Sequence, residues 1–564
     1  MTMNTSSYTS KHLVEIDKTI NTSLKEVSLD GKSLSVQEIL SVSQHATSVT
    51  FTSNKTTLKQ IEECYQHMIT DVQNGVPIYG CNTGYGARAE VIVNQGDTQT
   101  RMKMAKAISE SIIHTDVTVG PPLPVDVIRG AMLIRINMLM NGVSAVRIED
   151  LKIFSSVLNK HITPVVNSYG GLGASGDLAH NSRVLSTLRQ IPGARVTNKQ
   201  GSVVDAVKAL KAAQIPKLEL EPKAGLGLVN GDNFSTSAAT IVVNEVVKYT
   251  LLEDVVGAMM VEVLKGTNRT FHPFLSTVRP HKGQAQLASV YRYLLDGSKL
   301  AYQELKGQKD RGPGINVQDA YSLRCITQSE GFNREQIAWA LDTITINANS
   351  VSDNPLWVTP KHTTSGETPW QWVSGGNFFA MHMAEVLDSM RKIITRLIKR
   401  NDRQLHRLVS PHSNNGLPAN LSDSEAISCC SFKGAQLQSG MFDVYSMILA
   451  QPVTTLFGIH EENNQDITPH SLTSAILAMR NLELLRYSLS MNLLAVAQAV
   501  DLRGGDQLLS PKTRPVYEFI RSKCEYVTKE RPLAYDIETI AQTISDGTMS
   551  DLIRKKVFHA YRPE

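Results

Sequence analysis

The strongest constraint on this chain lies at residues 236–265, SAATIVVNEVVKYTLLEDVVGAMMVEVLKG. Apolar residues recur at helical spacing through many turns with almost no polar face, and the run stops at Gly266, a residue suited to a helix C-cap. Such a helix is stable only when other elements surround it. Further long apolar-periodic stretches lie near 334–350, 378–409, 424–450 and 471–501, separated by turn-rich segments such as SDNP (352–355) and NNGLP (414–418). Strand-like alternation is short and rare, as in GSVVDA after NKQ. The expected class is mainly α: a bundle of long helices over residues 226–564, a smaller mixed region at 26–225, and a polar, loosely held lead-in at 1–25.

A chain of 564 residues can bury a large core as one body or several. Its 57 Lys and Arg nearly balance 53 Asp and Glu, with no long run of one sign, so neither nucleic acid nor a membrane surface is the expected partner. A small molecule is. The six cysteines form no C-x-x-C pair, and no His stands at zinc-ligand spacing, so no disulfide framework and no metal site is expected. The N-terminal MTMNTSSYTSKHLVEIDKT lacks the apolar core of a secretion signal, and no apolar stretch reaches the roughly 20 residues that cross a bilayer. The expected location is the cytoplasm.

GGLGASGD, residues 170–177, admits three chemistries. Gly171, Gly173 and Gly176 spell a dinucleotide fingerprint, which requires a preceding strand and an acidic residue about 20 positions on. Pro164 interrupts the only candidate strand, and no Asp or Glu stands between Asp177 and Asp205. A serine-hydrolase elbow needs a second glycine two places after the serine, where Asp177 stands instead, and none of His272, His281, His406 and His460 sits in a recognisable triad setting. In the third reading the backbone is the reagent. The Gly176 nitrogen attacks the Ala174 carbonyl, and loss of water there and from Ser175 leaves a conjugated methylidene, a strong electrophile. Glycine suits the third place because a Cβ would crowd the attacking nitrogen. An Ala-Ser-Gly arises by chance about 0.2 times in a chain this long, so the tripeptide alone does not decide against an ordinary turn.

Its context does. GLGASGDLAH resembles the prosthetic-group loop of the aromatic amino acid ammonia-lyase and aminomutase family, which includes histidine, phenylalanine and tyrosine ammonia-lyases. Further matches follow in the family's order: PIYGCNTGYG (77–86), GLVNG (227–231), RPHKGQ (279–284), QDAYSLRC (318–325), SVSDNPL (350–356), GGNF (375–378), NNGLP (414–418), ENNQD (462–466) and QAVDLRG (498–504). The resemblance implies a long-helix bundle of the fumarase/aspartase-like ammonia-lyase type, with the N-terminal region carrying the loop. It also implies that Ala174, Ser175 and Gly176 form 4-methylidene-imidazol-5-one (MIO), without metal or nucleotide. The family assembles as homotetramers whose active sites each draw on three chains. That predicts that the Tyr79 loop and the stretch Gln318 to Arg324 meet the electrophile across interfaces.

Residue by residue, Tyr79 matches the family's base for the β-proton; a phenol ordinarily near pKa 10 fills that role only if its phenolate is favoured. Tyr321 matches a second tyrosine near the prosthetic group. Arg324 is the carboxylate anchor, and Gln318, Tyr321 and Arg324 share one side if the segment is helical. Asn230 matches a polar contact to substrate and prosthetic group, Asn354 and Phe378 match pocket-lining residues, and Glu461 matches a carboxylate near the amine. Lys433 fills a position that varies with specificity. Histidine-specific members carry Glu where this chain has Gln465. Counting back from AMLIR (131–135) without gaps puts His114 and Thr115 at the selectivity pair, where a His resembles tyrosine enzymes; a one-residue shift gives Thr115 and Asp116. The implied reaction is ammonia elimination from L-tyrosine or L-phenylalanine to coumarate or cinnamate. The alternatives are a 2,3-aminomutase, a histidine ammonia-lyase, or a silent homologue acting as a scaffold. The chain departs from the family at His180-Asn181 (usually Pro-Leu), Asp232 (Thr), Thr327 (Pro) and Ala419 (Pro).

Overall fold

A computed structural model describes residues 7–308, 317–368 and 371–563. The segment expected as a loose lead-in contains helix α1 (Leu13–Ile20), whose first turn is closed by Glu15 accepting the His12 backbone N–H. Leu13, Ile16 and Ile20 are buried in the main core. Their helical spacing outweighs the polar composition that suggested a free segment. Residues 1–6 of that stretch lie outside the described residues.

Two short strands, β1 (Glu26–Leu29) and β2 (Ser48–Phe51), pair in parallel near the N-terminus. Further on, β3 (Val119–Pro122) pairs antiparallel with β4 (Asn167–Tyr169), and β4 runs directly into GGLGASGD. Val203–Asp205, inside the one alternating stretch, forms a hairpin strand against Arg195–Thr197. All are small. Helix α2 (Val125–Leu139) lies between β3 and β4 in the chain, and helix α3 (Leu178–Leu188) follows the loop directly.

The bundle is built round α4 (Asn233–Val263). Within it only Glu245 and Lys248 are not buried, and they pair with each other at 2.8 Å. A helix apolar on all sides takes the central place, and α4 is enclosed by α2, α5 (Ile326–Ala348), α6 (Met381–Val409) and α8 (Ser471–Leu502). Helix α7 (Lys433–Leu449) packs outside, on α6 and α8. It starts later than the apolar pattern from 424 suggested, because SDSEAISCCS is rich in small polar residues and Cys429 takes a left-handed φ of +52°. Inside the bundle Arg400 pairs with Glu253 and Glu330, and Arg334 with Asp254, tying α4, α5 and α6 together through buried charge. One hydrophobic cluster runs across positions 225 and 226, from Tyr8 to Tyr561. Among the described residues the cysteines are free, and no helix is long and apolar enough to cross a membrane.

Candidate active site

The loop GGLGASGD turns sharply between β4 and α3. Gly173 and Gly176 have φ of +78° and +66°, and a Cβ on Gly176 would stand 2.5 Å from the Gly231 carbonyl carbon. Only glycine meets both conditions. Isolated bridge contacts join residue 176 to 173 and to 174, so the tripeptide is folded back on itself. Neighbouring elements hold its backbone: the Ala380 N–H donates to the Gly173 carbonyl at 3.1 Å, the His470 N–H to Leu172 at 2.8 Å, and the Asp177 N–H to Gly231 at 2.8 Å. The Asp177 carboxyl accepts from Ser235 N–H (2.7 Å) and Oγ (2.6 Å), and its full burial raises its pKa to about 7. Ser175 itself receives two amides. Asn230 Nδ2 donates to its carbonyl oxygen and Gln465 Nε2 to its Oγ, each at 2.9 Å.

Beside Ser175 opens a cavity of about 500 Å³. Of the residues singled out in the sequence, Tyr79, His114, Ala174, Ser175, Asn230, Phe378, Glu461 and Gln465 line it, and Gly176 lies behind the loop. Tyr79 is placed by a turn in which the Gly86 N–H donates to its Oη at 2.8 Å. Burial raises the Tyr79 pKa above its ordinary value, the Gly86 bond opposes this, and the charge of Glu461 adds to the rise. Glu461 is held by the Ala87 N–H at 2.9 Å and by Asn464 Nδ2 at 2.6 Å. Among the described residues, no Lys or Arg lines the cavity.

Gln318 and Arg324 line a separate cavity of about 770 Å³. Arg324 Nε donates to the Asp319 carbonyl at 3.1 Å, and its guanidinium lies 4.7 Å from the centre of the Tyr321 ring, itself 72% exposed. Only Tyr321–Arg324 is helical, so Gln318 sits in the bend before it. Asn354 accepts the Gly375 N–H at 2.8 Å, Lys433 opens α7, and neither reaches the first cavity.

Residues 34–522 match the family model described as aromatic amino acid lyase. The chain belongs to this family. It is a carbon–nitrogen lyase. The lyase is 30% identical to a phenylalanine ammonia-lyase of Nostoc punctiforme, with 96% of each chain covered. It is equally 30% identical to a histidine ammonia-lyase of Myxococcus xanthus, with 93% of this chain and 98% of that one covered. Among solved structures, a tyrosine aminomutase from Streptomyces globisporus superposes with a TM-score of 0.84 at 28% identity, covering 96% of this chain and all of the other.

Tyr79 of the lyase shares its cavity with Ser175 of the same chain, which corrects the expectation that this loop arrives across an interface. The turn Gly80 to Gly86 folds it inward. The departures at 180, 181 and 232 are buried around the loop. His180 is fully buried under Gly171, its Nε2 3.2 Å from the Ser168 carbonyl, and burial lowers its pKa to about 4, so the ring is neutral at pH 7. Asn181 donates to the Val229 and Gly231 carbonyls at 3.0 and 3.1 Å, and Asp232 accepts from Asn347 Nδ2 at 2.8 Å. Thr327 and Ala419 do not line the cavity. His114 and Thr115 both line it, whereas Asp116 pairs with Arg183 at 2.8 Å, which favours the ungapped register.

Sequence reasoning passed over Tyr85, Leu226, Phe379, Asn464 and Ile467, which also line the wall. Tyr85 stands inside the quoted YGCNTGYG and Asn464 inside ENNQD, so the motifs marked the segments without distinguishing which side chains turn inward.

Proposed function

We propose that this lyase eliminates ammonia from L-tyrosine or L-phenylalanine, releasing the aryl acrylate. The observation that carries the reading is Gln465, whose amide donates to Ser175 Oγ in the cavity that also holds Tyr79, Asn230 and Glu461. An amide there, in place of the Glu of histidine-specific members, favours a carbocyclic ring over imidazole. His114, with its ring 6.3 Å from that of Tyr85, donates Nδ1–H to the Ser111 carbonyl at 2.7 Å, which leaves Nε2 to accept from a phenol and favours tyrosine.

The folded-back tripeptide suits conversion to 4-methylidene-imidazol-5-one: the contact of 174 with 176, the absence of room for a Cβ on Gly176, and the amide donor on the Ser175 carbonyl all fit a small ring closed at that point. Once formed, the group supplies an electrophilic carbon for the substrate amine. The chain's own residues do the rest. Asn230 and Gln465 fix the loop face, and the mostly apolar wall of Leu226, Phe378 and Ile467 excludes water around the aromatic ring. Tyr79 Oη receives the β-proton, and the Gly86 N–H supports its phenolate.

Among the described residues of one chain, the cavity has no cation for the substrate carboxylate and no charge that favours the Tyr79 phenolate against burial and Glu461, and this reaction requires both. Arg324, beside the exposed Tyr321, supplies both when it comes from a neighbouring copy. Exposed apolar residues support such association: Leu437, Met441, Val444 and Ile448 form one stripe on α7, and Phe332, Trp339 and Ile346 recur every seven residues on α5. The assembly is read as a homotetramer.

Incubation with L-tyrosine, L-phenylalanine or L-histidine is expected to give acrylate absorbance with the first two. Product from histidine alone, or a β-amino acid in place of the acrylate, would replace this reading with the histidine lyase or the mutase. Because the base form of a phenol grows with pH, kcat/KM is expected to rise about tenfold per unit on its acid limb and to level off on the alkaline side. Tyr79→Phe should remove that limb and at least about a hundredfold of rate; an unchanged profile in the variant would assign the proton to another group.

A further inference from the structure

We propose that Arg88 and Glu462 clamp the two loops that carry the pocket, making them positioning residues for Tyr79 on one side and for Glu461 and Gln465 on the other. This rests on reading the cavity beside Ser175 as the active site. Arg88 Nε donates to Glu462 Oε1 at 3.0 Å, and Nη2 lies 2.9 Å from Oε2. Two parallel bonds between one guanidinium and one carboxylate fix relative orientation as well as distance, which a single lysine contact does not.

Each end of the clamp is wired to a pocket side chain within a few residues. Arg88 closes the short turn Gly86–Arg88, whose Gly86 N–H holds Tyr79 Oη at 2.8 Å and whose Ala87 N–H holds Glu461 Oε1 at 2.9 Å. Gly86 has φ +55°, and a Cβ there would stand 2.1 Å from Glu461 Oε1, so the carboxylate is seated on bare backbone. On the other loop, Glu461, Glu462 and Asn463 take left-handed φ of +52°, +56° and +68° in succession. Side-chain-bearing residues keep such a backbone only where their surroundings hold it. His460 and Gln465 close that loop by exchanging backbone bonds of 2.9 and 3.1 Å, and Gln465 then reaches Ser175 Oγ. Displacing Glu462 therefore loosens the strained turn that aims Gln465, and displacing Arg88 loosens the turn that aims Tyr79. Both clamp side chains are more than half exposed, so the pair is open to screening by salt.

Charge reversal tests this on the assembled full-length protein. Arg88→Glu and Glu462→Arg alone are each expected to speed amide hydrogen exchange in segments 84–93 and 459–467 about fivefold, the scale of one exposed bidentate pair, and the double reversal to restore it. With the amino acid the wild type turns over, KM should rise several-fold in each single variant with a smaller change in kcat, and recover in the double. Raising NaCl should increase the wild-type KM by a larger factor than that of Arg88→Ala. Wild-type exchange rates in either single variant, or a double reversal no better than the singles, overturns the clamp. The exchange measurement needs no turnover, so a mistaken substrate assignment shows separately, as absent acrylate with the exchange result intact.

Discussion

Ser175→Ala is expected to leave a folded, assembled lyase whose turnover has fallen at least about a thousandfold, as when a covalent catalytic group is removed. The loop is held chiefly through backbone: Ala380 and His470 donate to Gly173 and Leu172, Asp177 to Gly231, and Asn230 to the carbonyl oxygen that alanine retains. Compared with the chain before self-modification, only the hydrogen bond from Gln465 to Oγ is lost, and Gln465 is half-buried, so the stability of that form should change by about 1 kcal/mol or less. What disappears is the hydroxyl whose departure as water creates the alkene. Intact mass should therefore show the wild type lighter than its sequence by two waters and the variant lacking the second loss. Residual acrylate formation above about a hundredth of wild type would separate the activity from this self-modification.

The largest stability effect is expected at Lys223, far from any surface. Its Nζ lies 2.8 Å from Asp353 Oδ2, both side chains are fully buried, and Asp353 Oδ1 has no hydrogen-bond partner. Lys223→Met would leave that carboxylate without its counter-charge, and breaking a buried pair from one side typically costs about 3–5 kcal/mol. The pair also joins the turn before Ala224–Val229, which delivers Asn230, to the segment 352–355. Arg135 reinforces the junction by donating to the Ser352 and Asn230 carbonyls at 2.6 and 3.2 Å. Loss of Lys223 should thus lower both the denaturant midpoint and the fraction of protein that has lost its two waters. Adding Asp353→Leu should recover part of the stability, since replacing both partners with apolar groups removes the orphaned charge. A single variant unfolding at the wild-type midpoint would sink the argument.

How much of the site was legible differs from residue to residue. GGLGASGD, Asn230 and Gln465 stood out because their chemistry or their motif neighbours are local, and the fold then brings all three to one cavity. Arg324 and Tyr321 were equally visible, yet one chain places them on another face. Nothing in their spacing reports which copy completes a site. Leu226 and Phe379 were invisible for a different reason: an apolar residue that lines a pocket has the same pattern as one that fills a core. The helix α1 was missed because its polar flanks dominated the composition, while its buried apolar residues are only Leu13, Ile16 and Ile20.

The sequence by itself determined the long helices of the bundle and the capacity of Ala174, Ser175 and Gly176 to condense. Both depend on residues within a few positions of one another: helical burial on a 3.6-residue period, ring closure on consecutive peptide units. Only the tertiary structure decided that Tyr79 joins Ser175 within one chain, that Arg88 meets Glu462, and that Arg324 does not reach the cavity. Those meetings depend on how helices of about thirty residues cross around α4. A small change in crossing moves their ends by ångströms, and no local pattern encodes it.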